Sequence, residues 1–212
     1  MLGRLAAVVK SGQRPKVGLD LDGTVADVHL PFVEIVNALP ANVQRGARFT
    51  VEDITDFDLG KTKLGLTDAY FMEQHDILWM QAPERILPLA SRELVRRLAS
   101  ESDLRLLTRR KDEHYDAVSE WFAKHYLRAE PDIVKHTADK LTRGYTVIFD
   151  DAPKIAAQQV ELLRSGKAET DLVYVERPWG RGKFETTDGL EVVRHIDEGL
   201  RIALDTIAKA SA

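Results

Sequence analysis

Apolar positions along the chain keep two different spacings, and the switch between them lays out the architecture. The segment KVGLDLDGTV, from Lys16, reads as a short buried strand with Val17 and Leu19 as its β-type residues, and it stops at a Gly-containing turn. Leu30, Val33 and Val36, with Phe32 and Ile35 beside them, carry helical spacing over about Leu30 to Leu39. Polar, Gly-bearing and aromatic segments without a clear strand follow to about Pro83. Beyond Pro88 the periods alternate. An amphipathic helix (Leu89 to Leu98), a strand (Leu104 to Leu107) and a helix (Tyr115 to Tyr126) lead to a strand at Thr146 to Phe149. A helix (Ile155 to Leu163), a strand (Leu172 to Val175) and an amphipathic helix (Ile196 to Ile207) complete the pattern. Such alternation implies a parallel sheet. The predicted fold is therefore α/β, a Rossmann-like doubly wound sheet built from residues 1–27 and 86–212. Residues 28–85 form a small helical insertion after the first strand. In open sheets of this kind, ligands bind beyond the carboxyl ends of the strands.

Composition narrows the function. The chain has 212 residues, 44% apolar and 30% charged, enough to bury a substantial core. A net charge of -4 with interleaved signs leaves no basic stripe to track a phosphodiester backbone, which argues against a polynucleotide partner. There is no cysteine, so disulfides, thiolate metal sites and thiol catalysis are excluded; this suits a reducing cytoplasm, the expected location. The run ending at Val9 is short for a signal-peptide core and reads as a ragged N-terminus. No stretch approaches the roughly 20 apolar residues needed to cross a bilayer. Six histidines show neither H-x-H nor H-E-x-x-H spacing, which argues against a histidine-bound zinc site.

Four constellations carry chemistry. Asp20 and Asp22, in DLDGT, stand two apart just past a strand, so both carboxylates can point into the crevice while Gly23 permits the turn. A second pair, Asp56 and Asp58, lacks both the strand before it and the Gly-Thr after it, and reads as a solvated loop. Thr108 ends the apolar run LRLLT, where a hydroxyl can donate to a phosphate oxygen or simply cap a helix. Lys140, ten positions before Asp150, offers a cation for a phosphoryl group; alone it would read as a surface lysine. In TVIFDD a strand ends in Asp150 and Asp151, acids that repel unless a cation lies between them or one is protonated.

In this order the four motifs resemble the haloacid dehalogenase superfamily: DxDGT, a strand ending in Thr, a Lys, and a strand ending in paired Asp. The resemblance implies a Mg²⁺-dependent phosphohydrolase. Asp20 would be the nucleophile, Asp22 the acid and then the base, and Thr108 and Lys140 the phosphate holders. It also implies that Asp20, the Asp22 backbone carbonyl and Asp150 hold Mg²⁺, with Asp151 ligating through water or orienting the site. The insertion at 28–85 stands where many members carry a cap. The ten-residue spacing from Lys140 to Asp150 and the segment ILWMQAPERILPLASRELVRRL resemble the 5'(3')-deoxyribonucleotidase family. The expected substrate is thus a small phosphate monoester, a nucleoside monophosphate in particular. A phosphosugar phosphatase, a mutase and a non-catalytic nucleotide or phosphoprotein binding module on the same fold stand as alternatives, and a homodimer stays open. Phe32 and Trp79 are the candidates for stacking on a base, although an aromatic at helical spacing is more often core than ligand contact. Arg109 and Arg110 are either forked donors to a substrate phosphate or a charged helix start, and Arg177 and Trp179, in VERPWGRG, are candidates on a crevice-side loop.

Overall fold

The computed structural model describes residues 2–57, 62, 64, 68–129 and 131–212. The chain opens with helix α1 (Gly3–Lys10), runs through strand β1 (Lys16–Asp20) and turns into β2 (Ala26–Asp27). Helices α2 (His29–Ala38), α3 (Pro40–Gln44) and α4 (Asp68–Gln81) follow, and β3 (Leu87–Pro88) pairs antiparallel with β2. That pairing makes the intervening segment leave and rejoin the sheet domain at one place. Next come α5 (Arg92–Glu101), β4 (Asp103–Thr108), α6 (Tyr115–His125) and β5 (Pro131–Ile133). The chain ends with β6 (Val147–Asp150), α7 (Pro153–Arg164), β7 (Asp171–Val175), β8 (Leu190–Val193) and α8 (Ile196–Ser211).

Six strands form one sheet in the order β5-β4-β1-β6-β7-β8, and every pair in it is parallel. The order runs outward from β1 in both directions, so the topological switch point lies between β1 and β6. The central strands are buried on both faces because helices cover both. Leu104, Leu106, Val147, Phe149, Val173 and Val175 face one cluster with α5 and α8, while Leu107, Ile148, Leu172 and Tyr174 alternate into a second with α7. Gly18 sits mid-strand for a steric reason: a Cβ there would lie 3.2 Å from both Leu107 and Tyr145, which close over the strand.

The N-terminus is not ragged. Leu2 and Leu5 are fully buried against the sheet cluster, and α1 packs on α8 and β7. An eight-residue helix is marginal alone. Burying two leucines, at roughly 1.5–3 kcal/mol each, anchors it. The apolar run read as an untethered end is this buried stripe. Elements without an expectation are also present: β5, β8, the β2–β3 pair, α3 and α4. The strands are short, and the sequence of α4 keeps no helical spacing of apolar residues. Among the described residues no helix is long and apolar enough to cross a membrane.

Parts of the inserted segment share packing with the rest of the chain. Phe32, Val33, Val36, Ile54 and Leu64 form a small cluster together with Trp179 from the loop after β7. Leu78 and Trp79 of α4 join the main cluster, where Trp79 meets Trp121 of α6 edge-on at 5.6 Å between ring centroids.

Candidate active site

Parallel strands end side by side, so residues far apart in sequence meet at the carboxyl edge. Asp20 ends β1, Asp150 ends β6 beside it, and Thr108 ends β4 one position beyond Leu107, the register partner of Asp20. Lys140 reaches the same point from a 3-10 turn, Thr137–Thr142, between β5 and β6. Its ammonium donates to Asp20 Oδ1 and, at 2.6 Å, to Asp150 Oδ2. Asp150 Oδ1 accepts from the Ala152 amide at 2.8 Å, which fixes the carboxylate at the start of α7. The Thr24 hydroxyl donates to Asp20 Oδ2 at 3.4 Å.

Gly23 makes the turn that follows Asp20 and Asp22 feasible. Its φ is +81°, and a Cβ would lie 2.3 Å from the Asp151 carboxylate, so the turn and the acid behind it require glycine. Asp20, Asp150 and Asp151 are buried, with carboxylate oxygens within 4.8 Å of one another. Three acids face one ammonium. Burial is the largest influence pushing the Asp20 carboxyl up to about 7; Lys140 opposes it, and Asp150 and Asp22 add to it. Burial, then the neighbouring Asp20 and Asp150, pushes Asp151 well above the usual carboxylate range. Burial works against the charge on Lys140, but Asp150 and Asp20 outweigh it and raise its pKa. A further cation among these carboxylates would relieve the repulsion. The donor set is all hard oxygen, which fits Mg²⁺ rather than a soft metal.

Asp22 is held on two sides. The Trp79 indole N–H donates to Oδ1 at 3.0 Å and Arg110 Nε to Oδ2 at 2.7 Å; Arg110 Nη1 also donates to Asp76 Oδ1 of α4 at 3.1 Å. Thr108 Oγ1 accepts from the Arg110 amide at 3.1 Å, which leaves its own O–H able to donate.

The six candidates for substrate contact separate clearly. Phe32 and Trp79 are fully buried, so neither presents a face for stacking; their helical spacing reports packing, and Trp79 commits its N–H to Asp22. Arg110 is a holder of Asp22 rather than an open fork, and Arg109 is exposed. Arg177 donates to the Gly23 carbonyl through Nε at 2.7 Å and through Nη2, bracing the turn that follows Asp20 and Asp22. Trp179 is buried beside His29, 4.5 Å between ring centroids, and its indole N–H has no hydrogen-bond partner among the described residues. Burial, then Arg177, pushes His29 down to about 3, so this ring is neutral. Asp56 is part-buried, and Asp58 lies outside the described residues. Thr24, Asp76 and the hold of Trp79 on Asp22 escaped the sequence reading. Only Thr24, the last letter of DLDGT, had a sequence signal.

The fold and site define an α/β protein with an acidic, lysine-bridged cage at the switch point of a parallel sheet. No protein-family model and no curated protein matches the sequence. Solved structures match its fold at low sequence identity. A haloacid dehalogenase-like family hydrolase from Xanthomonas campestris has a TM-score of 0.53 at 14% identity, covering 93% of this chain and 97% of its own. A HAD family hydrolase from Deinococcus radiodurans, with bound phosphate and sodium, has a TM-score of 0.53 at 16% identity, covering 92% and 96%. The chain has the haloacid dehalogenase-like fold.

Proposed function

We propose that this chain is a Mg²⁺-dependent phosphomonoesterase that works through an aspartyl-phosphate. The observation that carries the reading is the convergence of Asp20, Lys140, Asp150 and Asp151 in one buried cage, with Asp22 and Thr108 at its rim. Asp20 forms a bond to phosphorus as the ester P–O bond breaks, and Asp22 gives its proton to the leaving oxygen. Asp22 then takes a proton from the water that releases phosphate. Lys140 and the Thr108 hydroxyl hold phosphoryl oxygens in line. Asp20, the Asp22 backbone carbonyl and Asp150 would hold Mg²⁺, with Asp151 ligating through water or orienting the site, and the ion would supply positive charge against the repulsion between nucleophile and phosphoryl group. Residues 28–85 act as the cap.

The substrate we infer is a nucleoside monophosphate, deoxynucleotides in particular. The spacing of Lys140 and Asp150 and the segment leaving α4 support it. Base recognition falls to groups other than the faces of Phe32 and Trp79, which are covered. The bound phosphate of the Deinococcus radiodurans neighbour is in keeping with a small phosphate ester.

The test is phosphate release from a panel of ribo- and deoxynucleoside monophosphates and sugar phosphates, with and without Mg²⁺, for wild type beside Asp20→Asn. The expected result is Mg²⁺-dependent release concentrated on nucleotides and reduced roughly 10⁴-fold or more in the variant. Release only from sugar phosphates would overturn the substrate assignment. No release from any ester would overturn the enzyme reading.

A further inference from the structure

Away from the cage, a second group of metal-ligating side chains meets across the seam between α4 and the 3-10 turn Asp112–His114. Asp76 of α4, Glu113 and His114 place ligand atoms within 4.8 Å of one another. Acidic groups often gather without a ligand, so His114 decides the matter. Its side chain is only 1% exposed, yet neither ring nitrogen has a hydrogen-bond partner among the described residues. Buried polar groups are nearly always satisfied, so a buried imidazole with both nitrogens unpaired marks a missing partner. Nε2 points at Asp76 Oδ1 at 3.7 Å and Glu113 Oε1 at 3.8 Å. Those separations exceed a hydrogen bond. They suit two donors sharing one ion: tetrahedral ligands at about 2.0–2.2 Å from zinc lie roughly 3.3–3.6 Å apart.

We propose that Asp76, Glu113 and His114 form a second metal site, selective for a zinc-class divalent ion, that ties α4 to the sheet domain. The donor set separates it from the cage. One imidazole nitrogen with two carboxylates suits zinc, whereas the all-oxygen cage suits magnesium. The missing short histidine spacings exclude a site built on two nearby histidines, but this one uses a single histidine and recruits its acids by folding. In the structure a cation already spans the acids: Lys111 Nζ lies 2.9 Å from Asp76 Oδ2 and 3.4 Å from Glu113 Oε1. That lysine side chain is 63% exposed and can swing into solvent when an ion enters. Arg110 occupies part of Asp76 Oδ1, but an ionised carboxylate has about four acceptor positions, so capacity remains.

The test is calorimetric titration of the full chain with Zn²⁺ in a large excess of Mg²⁺, which fills the oxygen cage. Wild type should still take up one equivalent. Glu113→Gln, at an exposed position, should weaken uptake roughly ten- to a hundredfold. Lys111→Met should tighten it by removing the competing ammonium, and His114→Asn should abolish it. Zn²⁺ should also raise the melting temperature of wild type but not of Glu113→Gln. Uptake that disappears in excess Mg²⁺ would place the ion in the cage and overturn the proposal. So would uptake unchanged in Glu113→Gln, a result that stands even if His114→Asn does not fold.

Discussion

The two acid clusters of this molecule contain similar groups in opposite settings. Asp20, Asp150 and Asp151 converge at the ends of neighbouring parallel strands, where the register of β1 and β6 leaves them nowhere to relax. Asp76, Glu113 and His114 meet across a seam between a helix of the insertion and a turn of the sheet domain, with Glu113 and the bridging Lys111 largely exposed. In both, an ammonium spans two carboxylates. Lys140 is buried between its partners, so bulk water screens their charges little. Lys111 stands in solvent and can leave. The difference teaches that a buried lysine is part of a charge arrangement built into the sheet, while an exposed one only occupies a place that something else can take.

The largest expected effect comes from removing each lysine in turn. Lys140→Met leaves Asp20 and Asp150 buried without their partner, and breaking such a pair costs about 3–5 kcal/mol. Thermal melting should therefore drop steeply, Mg²⁺ should restore part of it, and phosphate release should vanish. Lys111→Met should leave the melting temperature unchanged, because exposed pairs contribute little. Equal shifts in the two variants would break the contrast between cage and seam.

The same contrast explains what the sequence made legible. A parallel sheet obliges strand ends to meet, so an acid after an apolar run already carries its position. Asp20, Thr108 and Asp150 were readable for that reason, as were the central strands and the long amphipathic helices. The seam has no such rule: Asp76 reaches Arg110 and Lys111 only because α4 folds back on the sheet domain. Trp79 shows the same limit: its helical spacing allowed either a core ring or a stacking face, and only tertiary packing turns the ring into the core and its N–H toward Asp22. The edge strand β8 was hidden by its shortness and by Glu191 within it.

A smaller effect tests the link between α4 and the cage. Trp79→Phe keeps an aromatic ring against Trp121 but removes the donor to Asp22 Oδ1. If that hydrogen bond holds the acid in line, kcat should fall roughly tenfold to a hundredfold for alkyl esters, with KM little changed. An aryl phosphate with a good leaving group needs less proton donation and should lose much less. A uniform loss across leaving groups would show that Trp79 serves packing alone.

The smallest effect uses another buried acid as a reference, one with no lysine bridge and only Asp188 acting on it among acids. Asp171, at the opposite edge of the sheet, accepts from the Leu5 amide at 2.9 Å. Burial pushes its pKa up to about 6, while the backbone hydrogen bonds from Leu5 and Arg4 pull the other way. The folded state thus keeps a proton that the unfolded chain releases near 3.8. Between those values the folded state binds more protons, so stability from this group is present at low pH and is lost as pH rises through about 6. Asp171→Asn cannot ionise and should lack that loss. Urea unfolding of wild type and variant across the window should show the difference moving in favour of Asn by roughly 3 kcal/mol as pH rises. A constant difference would mean that Asp171 stays ionised throughout. In that case two backbone N–H groups would suffice to hold a buried carboxylate's charge, and the case that the three-acid cage needs a cation would weaken with it.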